Sequence, residues 1–320
     1  MFRRAIGRGK LSHAYLLIGP RGIGKKTFVR TLAQCLFCSR YPEAALEACG
    51  QCSGCKQVIA HTHPDLLTVA CPEGKRELSI DLIAGSADKR GREGLCHDLM
   101  LRPMMGARRV ALIDDAECLN DESSNSLLKT LEEPPNGSVV FLLSPDLDLI
   151  LPTIRSRCQP VLFSALTTTQ VKELLMSTGI ANEVAQADRM AEMAEGSLET
   201  AQKLADSSVE SLKTLMEERF PQLDHNSYAI GRAVLTAIEE AGGDSSAQRA
   251  RAIWAVRFAV TYYLRQFRQT PPEATETLER LTQALDRTIQ VEGQLMGMMS
   301  VPLCVEGWFS DLGRVSRGGA

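Results

Sequence analysis

The feature that most restricts the fold is an apolar run, Tyr15-Leu16-Leu17-Ile18, that passes without a spacer into Gly19-Pro20-Arg21-Gly22-Ile23-Gly24-Lys25. A strand ending in G-x-x-x-x-G-K and resuming as a helix is a P-loop. Its glycines let backbone N–H groups curl around phosphates at the helix N-terminus, and its lysine reaches the terminal phosphates. Gly19, Gly22, Gly24, Lys25, Lys26 and Thr27 are therefore the candidate nucleotide-binding residues. The loop is degenerate, because Lys26 stands where Ser or Thr would bind Mg²⁺. Thr27 cannot substitute, since a helix turns about 100° per residue. Whether ADP or ATP sits there as a passive ligand stays open.

The first half of the chain alternates short apolar runs with helical patterns, as a parallel α/β sheet requires. Strands are expected at Tyr15 to Ile18, Asp65 to Ala70, Arg109 to Ile113, Val139 to Ser144 and Gln159 to Phe163. Helices are expected over Lys25 to about Phe37, Ser79 to about Leu101 and Asp121 to Glu133, the last stopped by Pro134-Pro135. The third strand runs into Asp114-Asp115-Ala116-Glu117, which puts Asp114 where it would organise Mg²⁺. Residues 1–164 thus read as a doubly wound P-loop domain. Beyond Ser164, Thr167 and Gln170 form a possible capping box and the period becomes helical. Three short helices fit 165–206, and 207–320 reads as an all-α domain broken near Pro221, Gly242 and Pro271-Pro272, with Ser316 to Ala320 frayed.

Ten cysteines include a bunched set, Cys38, Cys49, Cys52 and Cys55. The basic N-terminus (Arg3, Arg4, Arg8, Lys10) precedes an apolar stretch, Ala14 to Ile18, too short for an export signal, so a cytoplasmic metal site is favoured over disulfides. The C-x10-C-x2-C-x2-C spacing supplies four thiolates for tetrahedral Zn²⁺ with no open position for water, which makes the site structural. An iron–sulfur run would continue with C-x3-C-P, absent after Cys55. His61 and His63 lie near enough to compete as ligands, although His63-Pro64-Asp65 reads better as a turn. Cys35, Cys71, Cys96, Cys118 and Cys304 read as small core hydrophobes. A formal net charge of −3 argues against autonomous DNA binding, so DNA contact would be shared with partners. No apolar run is long enough to cross a membrane.

The stretches HAYLLIGPRGIGKKT, LLKTLEEPP and LPTIRSRC resemble bacterial clamp-loader subunits, AAA+ proteins of the DNA polymerase III assembly, in order across at least residues 11–164. The resemblance implies an AAA+ domain (1–164) with an inserted zinc module (38–55), a helical lid (165–206) and a C-terminal collar (207–320). It also implies a heteropentamer with ATPase and delta subunits, and with the sliding clamp and primer-template DNA as partners of the assembly. In that family the Ser-Arg-Cys motif supplies an arginine finger in trans, here Arg157. Active members carry Glu where Asp115 stands and a sensor Arg where Glu199 stands, within Gly196-Ser197-Leu198-Glu199-Thr200-Ala201. Their first-sensor Thr residues fall here on Pro145 and Asp146, leaving Ser144 as the nearest hydroxyl. An intact finger beside an altered site resembles the subunit class that donates a finger and receives none. An active ATPase subunit of the same loader, and a zinc-dependent nucleic-acid-binding module, are the competing readings.

Overall fold

The computed structural model describes residues 1–72, 75 and 77–317 and divides into two compact units, 1–201 and 202–320. In the first unit the five apolar runs become β1 (Ala14–Ile18), β2 (Leu66–Val69), β3 (Arg109–Ile113), β4 (Ser138–Ser144) and β5 (Gln159–Leu162). They form one parallel sheet in the order β2-β3-β4-β1-β5. The connecting helices are α1 (Phe2–Gly7), α2 (Lys25–Leu36), α3 (Ser53–Ile59), α4 (Ile80–Ala84), α5 (Leu95–Met100), α6 (Asp121–Glu132) and α7 (Pro152–Arg155). They are followed by α8 (Thr168–Ser177), α9 (Val184–Met193) and α10 (Leu198–Leu204).

Alternation along the fully buried β1 separates two apolar layers. Leu16 and Ile18 join Ile83, Leu99, Leu127 and Leu131 on one face of the sheet. Tyr15 and Leu17 join Phe2, Val29, Leu32 and Phe141 on the other. A sheet covered on both faces explains why its strands read as continuous apolar runs. The C-terminal ends of β1, β3 and β4 carry Gly19, Asp114 and Ser144, so the candidate site sits where ligands of doubly wound sheets bind.

The long helix expected over 79–101 does not form. It is replaced by α4, a 3₁₀ turn at Ala87–Lys89, and α5. Gly85, Gly91 and Gly94 all take positive φ, and a Cβ on Gly85 would lie 2.8 Å from the Glu93 carbonyl oxygen. The chain doubles back there at a distance only glycine allows. The capping box on α8 does form, with the Thr167 N–H donating to Gln170 Oε1 at 2.9 Å and the Gln170 N–H to Thr167 Oγ1 at 3.2 Å.

The loop entering β3 is pinned by a buried carboxylate. Asp65 is 0% exposed and accepts the N–H groups of Met104 and Met105 at 2.7 and 2.8 Å, with Arg109 Nε 3.5 Å away. Arg109 in turn donates to the carbonyls of Asp98 and Arg102. Asp65→Asn keeps one acceptor and faces the second N–H with an amide. The expected loss is about 2 kcal/mol, read as a lower urea midpoint at unchanged slope.

The second unit contains α11 (Ser207–Arg219), α12 (Leu223–Glu240, kinked at Asn226), α13 (Ser245–Gln269), α14 (Thr275–Met296) and α15 (Val301–Ser316). The breaks fall near the residues expected, and one more falls between Gly297 and Ser300. The expected fraying of 316–320 lies in part outside the described residues. Trp308 is 0% exposed at the centre of this unit, ringed by Phe220 and Phe309, and its Nε1–H donates to Thr288 Oγ1 at 3.2 Å. No helix among the described residues is long and apolar enough to cross a membrane.

Candidate functional site

The P-loop has the geometry its glycines predict. Gly19, Gly22 and Gly24 take φ of 153°, 73° and 99°, and Gly24 caps α2 without a side chain. Lys25 is buried and donates to the Gly19 carbonyl and, at 2.8 Å, to the Pro20 carbonyl. Burial pushes its ammonium below the ordinary lysine range despite Asp114 and Glu117 nearby. Lys26 Nζ lies 2.9 Å from Asp114 Oδ2. The residue that replaces the Mg²⁺-binding hydroxyl thus puts its own cation on the carboxylate that would organise the metal. Thr27 is exposed on the helix.

Four more side chains, Asp115, Arg21, Ser144 and Glu199, complete the altered site. Asp115 adopts the left-handed conformation, φ 55°, which is uncommon for a residue with a Cβ. Arg21 spans from the loop to Glu117 at 2.6 Å and to Asp115 at 3.5 Å. Arg21 was not among the sequence candidates, because only the β1–β4–β3 order brings residue 21 to residues 115–117. Ser144 is buried and turned onto its own turn, donating to the Asp146 carbonyl at 2.7 Å. On the remaining side, the Leu198 N–H donates to the Gly22 carbonyl at 3.1 Å. A Cβ on Gly22 would meet Ser197 Oγ and lie 2.6 Å from Glu199 Cβ. Glu199 therefore stands against the P-loop, where its carboxylate would repel a phosphate by about 1 kcal/mol or more at a few ångströms.

Arg157 lies between α7 and β5, away from its own P-loop. Its guanidinium chelates Glu132 Oε1 through Nε, at 2.9 Å, and Nη2, while Nη1 donates to the Thr153 carbonyl at 2.9 Å and to Ser156 Oγ at 3.1 Å. The side chain is 34% exposed. Glu132 belongs to the same LEEPP stretch that the sequence singled out, and it provides a resting place for this arginine.

The sulfurs of Cys38, Cys49, Cys52 and Cys55 lie within 4.8 Å of one another and could hold a metal ion. Cys38 directly follows the end of α2, and Cys52 caps α3, its Sγ accepting the Cys55 N–H at 3.4 Å. The Gln51 and Cys52 N–H groups point at Cys49 Sγ at 3.5 and 3.3 Å. N–H groups of Cys55 and Ser39 hold Cys52 down to about 5, whereas burial pushes Cys55 up to about 12. Gly54 lets α3 close on α2, since a Cβ there would strike the Phe37 carbonyl oxygen. Neither histidine joins the cluster. His63 stacks on Phe37 at 4.1 Å and its Nδ1 accepts the Asp65 N–H at 3.1 Å, while His61 takes φ 59° in the turn after α3. None of the ten cysteines forms a disulfide, and Cys35 and Cys304 are buried while Cys71, Cys96 and Cys118 are partly so.

The chain is 38% identical over 152 residues to the DNA polymerase III subunit delta' of Pseudomonas aeruginosa, covering 48% of this chain and 43% of that one. It is 33% identical over 210 residues to the DNA polymerase III subunit tau of Escherichia coli, covering 63% and 30%. These alignments span less than half the length of either curated relative. A solved DNA polymerase III gamma-subunit-related protein from Thermotoga maritima aligns over 99% of this chain and 100% of that one at 17% identity, with a TM-score of 0.46. The sequence model of one family, described as DNA polymerase III, delta subunit, matches residues 1–167, more than half of the 320, and the chain belongs to that family.

Proposed function

We propose that the protein acts as the delta-prime subunit of a DNA polymerase III clamp loader. In this reading it joins ATPase subunits and a delta subunit in a heteropentamer that loads the sliding clamp on primer-template DNA in the cytoplasm. It hydrolyses no ATP itself and lends Arg157 to the ATP site of a neighbour. The observation that carries the reading is the ion pair between Lys26 and Asp114 at 2.9 Å. An ATPase needs that position for Mg²⁺, and here a tethered ammonium holds it. Asp115 in place of Glu adds a carboxylate one methylene too short to orient water, and a misplacement of about 1 Å can cost on the order of 10²-fold. Residues 165–206 serve as the lid and 207–320 as the collar.

Four sulfurs around one Zn²⁺ at about 2.3 Å would be spaced by about 3.8 Å in a tetrahedron, and Cys49 Sγ and Cys55 Sγ are 3.9 Å apart. That fit supports structural zinc at Cys38, Cys49, Cys52 and Cys55. Zinc would clamp the end of the P-loop helix to α3.

The purified chain should release phosphate from ATP at well under 1 s⁻¹, the low end of ordinary enzyme turnover. Lys26→Thr alone should not restore hydrolysis, because Asp115 and Glu199 remain. Turnover at or above about 1 s⁻¹ by the unaltered chain would return the reading to an active ATPase subunit. Reconstitution with ATPase subunits tests membership directly.

A further inference from the structure

The formal charge of −3 conceals a steep division along the chain. Residues 1–60 carry ten Lys and Arg against two Glu, whereas the other 260 carry 26 against 37. Three of those ten cations are engaged in the P-loop: Arg21 with Glu117, Lys25 with loop carbonyls and Lys26 with Asp114. The other seven, Arg3, Arg4, Arg8, Lys10, Arg30, Arg40 and Lys56, have no ion-pair partner among the described residues. Of the two glutamates, Glu43 is already held by Arg108 at 2.8 Å. Six of the seven cations are exposed, all but Arg30.

Three of the six exposed charges stand on helices, Arg3 and Arg4 on α1 and Lys56 on α3. Phe2 and Ile6 bury the inner side of α1, with the Phe2 ring 4.8 Å from Tyr15 and 5.4 Å from Phe28. Arg3 and Arg4 stand on its outer side, and Arg8 and Lys10 follow it. Arg3 Nη2 donates to the Ala45 carbonyl at 3.2 Å, which joins α1 to the cysteine segment (38–59), where Arg40 and Lys56 lie. We propose that α1 and the cysteine segment together form a surface that binds the phosphate backbone of DNA without reading sequence.

The chemistry favours a nucleic acid over an acidic protein. Protein interfaces centre on an apolar or aromatic core, and the exposed apolar side chains on this surface are scattered ones such as Tyr41 and Ile59. Hydrated, unpaired Lys and Arg side chains need no such core when they displace counterions from a polyanion. A net acidic chain can bind DNA this way because charges beyond roughly 10 Å are screened at 0.1 M salt. Affinity should be weak, with Kd of about 10⁻⁴–10⁻⁶ M at physiological salt, and should tighten steeply below it.

The test is fluorescence anisotropy of labelled 30-nucleotide single-stranded and 30-bp duplex DNA with the full chain, from 50 to 200 mM NaCl. About five phosphate contacts give a log–log salt slope near −4.5 on duplex or −3.5 on single strand. Arg3→Ala/Arg4→Ala/Arg8→Ala/Lys10→Ala should flatten the duplex slope by about 3–4 and weaken binding more than tenfold at 50 mM. Arg8→Ala/Lys10→Ala, outside the helix, should flatten it by about 2 even if the fourfold variant misfolds. Arg265→Ala/Arg268→Ala, exposed on α13, should leave both unchanged. Three results would overturn the proposal: no DNA binding at 50 mM, slopes indifferent to the first two variants, or tighter binding of labelled poly-glutamate than of either DNA.

Discussion

With zinc at the four cysteines as proposed, a chain carrying Cys55→Ser is expected to bind no metal and to melt about 8–16 °C below the unaltered protein. Cys55 is 0% exposed, and its sulfur sits 3.9 Å from both Cys49 Sγ and the Gln34 carbonyl. Serine nearly preserves its volume, so packing changes little. What changes is the donor, from a soft thiolate to a hydroxyl that binds zinc poorly. A ligand present at a thousand times its Kd stabilises the folded state by about 4 kcal/mol, and for a unit of this size each kcal/mol moves Tm by about 2–4 °C. The same drop should appear when a strong chelator is added to the unaltered protein, and not when it is added to the variant. Cys35→Ala, buried on α2 but outside the set, should retain a full equivalent of metal. Stoichiometric zinc in the Cys55→Ser chain would remove the four-sulfur assignment, and iron in the unaltered one would remove zinc as its occupant.

What the sequence made legible and what it left hidden divides by range. β3 runs from Arg109 to Ile113 as its apolar run predicts, and the capping box at Thr167 and Gln170 forms because its partners are three residues apart. The four cysteines were legible for a similar reason: Cys49, Cys52 and Cys55 lie within seven residues, and Cys38 follows the C-cap of the helix they pack against. The P-loop showed a missing hydroxyl, but not what the replacing lysine does. Lys26 reaches Asp114 only because β4 separates β1 from β3 at the right offset, a relationship between residues 88 positions apart. The failed helix over 79–101 has a similar origin. Its apolar spacing is helical, yet Gly94 is pressed against the backbone of Ala84 and Gly85, and Gly85 against that of Lys89 and Glu93, and that close approach decides the local conformation.

In a reconstituted loader, Arg157→Ala should leave assembly intact and lower DNA-stimulated ATPase in part, with clamp loading falling further if all sites must fire together. The side chain lies in the turn between α7 and β5, and its one strong carboxylate partner, Glu132, is exposed and of the same chain. A half-exposed ion pair of this kind contributes about 0–1 kcal/mol, so it can be exchanged for a phosphate on a neighbouring subunit at little cost. Once there, a guanidinium that stabilises charge developing on the γ-phosphate accounts for roughly 10³–10⁵ in turnover at that one site. Lys at 157 should rescue little, because an ammonium lacks the planar fork that now grips Glu132 through two nitrogens and would grip two phosphate oxygens. Glu132→Gln separates the finger from the structural alternative. If Arg157 serves only to tie α6 to the segment before β5, both Arg157→Ala and Glu132→Gln should destabilise the isolated chain alike and leave the loader's ATPase alone. If Arg157 works in trans, Glu132→Gln should keep or raise ATPase by up to about fivefold, the release of at most 1 kcal/mol, while Arg157→Ala lowers it. Normal ATPase and normal loading at limiting ATP by the Arg157→Ala assembly would end the finger assignment, whatever the isolated chain does.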